Sequence, residues 1–281
     1  MKIEFTKMHG IGNDYIYVNC MKRELPDPSG AAVAMSPRHF SVGADGLVMI
    51  CSSSKADARM RMFNADGSEG LMCGNAIRCV GKYLYDNGIL KKKRLSVETA
   101  SGIKHLTLFT GEDGTVVEVS VDMGYAVFAP DSIPVVYGGE MINEPCTVDG
   151  HEWKMTAVSM GNPHCVIYVE EPDALELEKI GPSFENNPIF PERVNTEFVR
   201  VIDRSTLKMR VWERGSGETW ACGTGACAAC ASSVKNGLCD PETPINVELV
   251  GGQLTVTVSK DYRITMKGKA EKVYDGIYDY R

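Results

Sequence analysis

Apolar and polar positions alternate in short runs along this chain, and the runs are separated by turns and by two helix-like stretches. RMRMF (59–63) and KMRVW (208–212) alternate as half-buried strands do. Strands are predicted at 15–18, 46–50 and 58–63, and again at 165–169, 196–201 and 207–212. A Gly-rich turn follows each third strand, NADGSEG (64–70) and ERGSGE (213–218). After each turn come a Cys-Gly pair and a helix ending at Asn-Gly, where glycine can take the left-handed C′ conformation. The second helix, GTGACAACASSVKNG (223–237), is small and apolar on most faces, as helices enclosed by protein are.

The recurrence has a fixed period. Cys222-Gly223 lies 149 positions after Cys73-Gly74. The same shift carries Gly12-Asn13 onto Gly161-Asn162 and Met60-Arg61 onto Met209-Arg210. It also carries Glu69 onto Glu218 and Asn87-Gly88 onto Asn236-Gly237. VETASG (97–102) then resembles VELVGG (247–252) at a shift of 150. The chain reads as two copies of one unit. The expected division is 1–122 plus 268–281 for the N-terminal half and 123–267 for the C-terminal half. A sheet wrapped around a central helix, twice, is the expected architecture, with 266–281 packing back on the first copy.

Composition narrows the function classes. The chain has 281 residues, 43% hydrophobic and 24% charged, with a formal charge of −7. An acidic balance without a long basic run gives no footprint for nucleic acid. Lys91-Lys92-Lys93-Arg94 reads as a solvated turn. MKIEFTKMHG lacks the apolar region of a secretory signal, and no apolar run is long enough to span a membrane. A cytoplasmic location is expected, with the ten cysteines as reduced thiols. Their spacing does not form the paired blocks of zinc ribbons, and Cys227 and Cys230 read as small buried side chains of an Ala-rich helix.

Cysteine at a helix start has chemical consequences. Unpaired backbone N–H groups and a partial positive charge favour the thiolate, and the same groups can seat a carboxylate. A single such cysteine reads as a buried structural residue, but two at equivalent places, both followed by glycine, point to chemistry. Two thiols facing one molecule from opposite sides suit proton removal from a carbon and proton return to its other face. Nucleophilic cysteine chemistry needs one thiol and a histidine, and redox pairs are usually close in sequence. Asn13 and Asn162 each follow glycine and precede a strand, as turn asparagines do. Arg214 stands where the first copy has Ala65, and a guanidinium suits a distal carboxylate. Glu69 and Glu218 read as turn or capping groups rather than bases.

HGIGNDY (9–15), FNADGSE (63–69), CGNAIRC (73–79), GNPH (161–164), VNTEFV (194–199) and ERGSGETWACGTGACA (213–228) together resemble the diaminopimelate epimerases. These belong to the cofactor-independent, two-cysteine amino-acid racemases. The resemblance runs from the N-terminus to the last strand. It implies an α/β (α+β type) fold of two pseudosymmetric domains, each a mostly antiparallel barrel-like sheet around one helix. It implies interconversion of LL- and meso-diaminopimelate, for lysine and peptidoglycan synthesis, without a cofactor or metal, in a homodimer. Carried over by position, Cys73 and Cys222 are the acid/base pair, and His164 and Glu213 sit beside the thiols, where they tune their protonation or hold the reacting ammonium. Gly74, Asn75, Gly223 and Thr224 receive the reacting α-carboxylate. Asn13, Asn64, Asn162, Asn195 and Arg214 hold the rest of the substrate, and Glu213 helps hold the reacting ammonium. Closure of the site on its substrate is expected, because without an electron sink the carbanion relies on N–H groups and exclusion of water.

Two positions depart from the pattern. Gly46 stands where many relatives have Gln, opposite Asn195 in the internal shift, and Trp220 replaces a smaller or polar residue. A proline or hydroxyproline racemase and a non-catalytic amino-acid-binding module are the competing readings.

Overall fold

The computed structural model describes residues 1–281. The first part of the chain runs through β1 (Lys2–Gly10), β2 (Asn13–Cys20), α1 (Pro28–Met35), β3 (Gly46–Cys51), β4 (Ala58–Asn64) and β5 (Glu69–Gly70). It continues with α2 (Gly74–Asp86), β6 (Arg94–Thr99), β7 (Gly102–Thr110) and β8 (Val116–Tyr125). The second part holds β9 (Glu144–Val148), β10 (His151–Ser159), β11 (Pro163–Tyr168), α3 (Leu177–Glu185), β12 (Asn195–Asp203), β13 (Thr206–Glu213) and β14 (Gly217–Thr219). Then follow α4 (Gly223–Lys235), β15 (Pro244–Leu249), β16 (Gly252–Val258), β17 (Arg263–Lys269) and β18 (Glu271–Asp279). The fold is mixed α/β, with parallel and antiparallel pairs in the same sheet. Two compact units are present, Met1–Asp122 with Lys267–Arg281, and Met123–Met266.

In the first unit, β1 lies antiparallel to β18 and to β2, so the C-terminal strand joins the N-terminal one. β2 runs parallel to β3, β3 antiparallel to β4, and β4 parallel to β6. β6, β7 and β8 continue antiparallel. A core of Phe5, Ile16, Val18, Leu47, Met49 and Phe63 packs with Ala31, Ala32 and Met35 of α1. α2 packs on β1, β2 and β7. Its Arg78 is fully buried and donates to the carbonyls of Gly74 and Lys269. Gly10 leaves it space, since a Cβ there would lie 2.9 Å from Arg78 Nη2.

The second unit repeats the pairing. β11 is parallel to β12, β12 antiparallel to β13, and β13 parallel to β15. Even the register is kept. Tyr15 faces Gly46, and 149 positions later His164 faces Asn195. Leu47 faces Phe63, and at the same offset Thr196 faces Trp212. α4 packs on β10, β11, β12, β13 and β16, with Ala226 through Ala231 all buried. Its small side chains let the strands come close. Cys227 and Cys230 are fully buried among those alanines, and all ten cysteines are free thiols. α2 and α4 are both 13 residues long. Gly88 and Gly237, just past their ends, take φ of 67° and 71°, the left-handed C′ conformation. A separate core forms around Phe184, Phe198 and Trp153, which meet edge to face. No helix is long and apolar enough to cross a membrane.

Candidate active site

Each Cys-Gly pair starts a helix, and each cysteine is the N-cap. Cys73 has φ −129° and ψ 122°, and its sulfur accepts the N–H of Ala76 at 3.4 Å. Cys222 has φ −104° and ψ 109°, and its sulfur accepts the N–H of Gly225 at 3.3 Å. The thiol therefore plays the part that Ser or Asp usually plays at this position. Gly74 and Asn75, and likewise Gly223 and Thr224, fill the first two helical positions, whose N–H groups have no acceptor within the helix.

Around Cys73 the partners are polar and tied to one another. Cys73 Sγ lies 3.3 Å from Asn13 Oδ1, with the thiol as donor. Asn13 Nδ2 donates to Asp45 Oδ2 at 2.7 Å, and the same oxygen accepts the Asp14 N–H. Arg38 bridges Asp14 and Asp45, each at 2.7 Å, and Lys7 pairs with Asp14. Burial, then the neighbouring Asp14 charge, raises the Asp45 carboxyl above its ordinary range. At Asp14 burial works in the same direction, but the Arg38 and Lys7 hydrogen bonds prevail and hold the carboxyl below its ordinary range. Asn64 ends β4 and donates to Ser68 Oγ at 3.0 Å within its own turn.

Around Cys222 the partners differ although the backbone register is the same. His164 is fully buried, with Nδ1 at 2.7 Å from Glu197 Oε1 and Nε2 at 3.0 Å from Asn162 Oδ1. Asn162 Nδ2 lies 3.5 Å from Thr224 Oγ1, which in turn lies 3.5 Å from Cys222 Sγ. Glu213 ends β13 and accepts from Thr219 Oγ1. Burial, then the charges of Glu213 and Glu197, push the Cys222 thiol well above its ordinary value, against the hydrogen bonds from Thr224 and Gly225. The acidification expected of a helix start is thus overridden at Cys222.

Asn195 is nearly buried and spent on backbone: Nδ2 donates to the Pro163 carbonyl at 2.8 Å and Oδ1 accepts the Arg214 N–H at 3.0 Å. It pins the start of β12 to the turn after β13. The Arg214 guanidinium donates to the Glu192 carbonyl at 2.8 Å. At the counterpart position in the first unit, Gly46, there is no room for any side chain. A Cβ would lie 2.1 Å from the Phe63 carbonyl oxygen.

Glu69 and Glu218, read from the sequence as turn or capping groups rather than bases, lie at the turns, and the cysteines themselves cap. Both glutamates sit on the short strands β5 and β14 and grip an arginine across the hairpin. Arg61 holds Glu69 at 2.8 and 3.0 Å, and Arg210 holds Glu218 at 2.7 and 2.8 Å. Trp220 is 64% exposed, so its bulk faces outward beside the second helix start. The sequence marks Glu197 only as an acidic residue inside an apolar strand.

The sequence model of the family described as diaminopimelate epimerase matches residues 5–129 and 156–273. This chain belongs to the diaminopimelate epimerase family. It is 54% identical over 279 residues to the diaminopimelate epimerase of Acetivibrio thermocellus, covering 99% of both chains. It is 49% identical over 279 residues to that of Methanococcus maripaludis, covering 99% of this chain and 100% of the relative. Among solved structures, a hydroxyproline epimerase from Agrobacterium vitis has a TM-score of 0.72 at 16% identity, covering 99% of this chain and 91% of that one. A phenazine biosynthesis protein of the PhzF family from Bacillus anthracis has a TM-score of 0.70 at 20% identity, covering 100% of both. At such identities the structural neighbours establish the fold. The Acetivibrio relative matches 99% of this chain, while the PhzF and hydroxyproline epimerase likenesses show a shared fold.

Proposed function

We propose that this chain is a diaminopimelate epimerase, an isomerase that interconverts LL- and meso-diaminopimelate in lysine and peptidoglycan precursor synthesis. The observation that carries the reading is the pair of cysteine N-caps at equivalent helix starts, in a chain 54% identical across its length to a diaminopimelate epimerase.

In this reading the two thiols act on one α-carbon. A thiolate takes the α-proton, so that a Cα–H bond breaks and an S–H bond forms. The other thiol gives its proton to the opposite face, so that an S–H bond breaks and a Cα–H bond forms. In the reverse direction the roles exchange. The α-carboxylate, which takes up charge as the proton leaves, is held by the N–H groups of Gly74, Asn75, Gly223 and Thr224. The hydroxyl of Thr224 adds a further donor. Glu213 and His164, beside Cys222, hold the reacting ammonium and set the charge around the sulfur. Asn13, Asn64, Asn162, Asn195 and Arg214 receive the distal, non-reacting centre. For Asn195 this means using the amide hydrogen and lone pair that its two backbone contacts leave over.

We further read each half as a mostly antiparallel, barrel-like sheet about its helix, a reading supported by the five strands that touch α4. Domain limits of 1–122 plus 268–281 and 123–267 are supported by the compact units Met1–Asp122 with Lys267–Arg281 and Met123–Met266. The protein is proposed to work in the reducing cytoplasm and as a homodimer, for which exposed Val273, Tyr274 and Ile277 on β18 offer apolar surface.

The test is deuterium uptake from solvent at Cα with LL-diaminopimelate, proline and lysine as separate substrates. Uptake with diaminopimelate alone is expected. Uptake with proline instead would move the chain to the proline-racemase reading, and no uptake with any of them would leave a binding module.

A further inference from the structure

Glu197 is 0% exposed, on β12, and has a single side-chain partner. Its Oε1 lies 2.7 Å from His164 Nδ1, while its Oε2 is buried with no hydrogen-bond partner. The first unit has no such pair. At the 149-residue offset Tyr15 stands for His164 and Val48 for Glu197. The ionisable pair thus stands in one half only, on strands of shared register.

The pair decides where hydrogens lie. A carboxylate sealed from water beside a neutral imidazole would be an uncompensated buried charge, which is costly. Burial accordingly raises the Glu197 carboxyl. One proton is therefore retained between Glu197 and His164, on either partner. Placing it on Oε2 would leave that hydroxyl without an acceptor, so it lies between Oε1 and Nδ1. In both remaining arrangements, imidazolium with carboxylate or imidazole with carboxylic acid, Nε2 carries a hydrogen. Nε2 then donates to Asn162 Oδ1 at 3.0 Å, which turns the Asn162 amide nitrogen toward Thr224 Oγ1, 3.5 Å away. With one lone pair accepting from Asn162, the Thr224 hydroxyl has its hydrogen available to donate toward Cys222 Sγ.

The first unit is wired the other way. Asn13 is held by its nitrogen end, because Asp45 can only accept, and so it presents its oxygen to the Cys73 thiol. Twin asparagines thus face twin sulfurs with opposite ends.

We propose that Glu197 is a positioning residue that acts through His164, Asn162 and Thr224 to make Cys222 a hydrogen-bond acceptor, while Asn13 keeps Cys73 a donor. The two-base reading needs the sulfurs to differ, and the Thr224 hydrogen bond works for the Cys222 thiolate against the burial and carboxylate charges that raise that thiol. The inference rests on the epimerase reading for its consequence, but its structural content can be tested separately.

The first measurement is the ¹⁵N–¹H correlation of the His164 ring in the substrate-free wild-type protein, which needs no activity. A protonated Nε2 is expected. An unprotonated Nε2 beside a protonated Nδ1 would overturn the proposal whatever the enzyme's substrate proves to be. The second is kinetic. Glu197→Leu is expected to lower kcat by up to about 100-fold, the scale of a small misplacement at a reacting centre. It should leave KM for diaminopimelate little changed. Glu197→Gln, whose amide can donate to Nδ1 and so keep hydrogen on Nε2, should retain most of kcat. In a Thr224→Val background, Glu197→Leu should cost little more, because the relay is already cut. Full additivity of the two substitutions, or failure of Glu197→Gln to rescue, would reduce Glu197 to packing.

Discussion

Gly46 faces Asn64 directly across β3 and β4, and the space beside it is taken by the Phe63 carbonyl, 2.1 Å from where a Cβ would sit. The glycine is not a side chain missing from a vacant seat. The strands have closed over that seat, while Asn195 in the other unit keeps its side chain and spends it on two backbone contacts. Gly46→Gln is therefore expected to destabilise by about 1–3 kcal/mol, the cost of forcing atoms into a packed interior. Urea unfolding midpoints would read it, and an unchanged midpoint would show that the strands part freely.

Removing either thiol should stop epimerisation. Cys73→Ala and Cys222→Ala are each expected to lower kcat by about 10²–10⁴-fold, the usual share of a positioned acid or base. Conversion of LL- to meso-diaminopimelate measures this, and a variant retaining near-wild-type turnover would end the two-thiol reading.

The Cys222 thiol is raised by burial first and by the Glu213 and Glu197 charges next. A nearby negative charge disfavours the thiolate, so neutralising it must lower the thiol pKa. Glu213→Gln should therefore move the pH midpoint for iodoacetamide labelling of Cys222 downward. Peptide mass mapping across a pH series follows the midpoint, and an upward shift would contradict the stated causes.

The two arginine–glutamate grips are not equal. Arg61 pairs with Glu69 and lies over the Phe63 ring, and it is partly exposed, so Arg61→Ala is expected to cost about 0–1 kcal/mol. Arg210 also donates to the carbonyls of Pro172 and Leu175, at 2.8 and 2.7 Å. Arg210→Ala should cost about 1–3 kcal/mol, because it strands those groups as well. Chemical denaturation of the two variants side by side would separate them, and equal losses would mean that the carbonyl contacts contribute nothing.

Much of the site's backbone was legible because it depends on local rules. A cysteine followed by glycine after a turn can cap a helix, and Asn-Gly can end one. The 149-residue offset then paired the halves, and the strand registers keep it. Contacts between residues distant in sequence were not legible. β12 is buried along Asn195–Val199 on both faces, so alternation gives no sign that Glu197 points at His164. Glu69 and Glu218 sit at a position where capping is common, and only the hairpin brings Arg61 and Arg210 within reach. The crowding at Gly46 comes from how closely β3 and β4 approach, which no residue type announces.

Because the two halves share a register position by position, the molecule carries its own control. Val48 and Glu197, or Tyr15 and His164, occupy the same backbone environment under one set of solution conditions. Moving a side chain from one half to its twin asks what that group contributes apart from its setting, a comparison that two homologues with drifted backbones rarely permit.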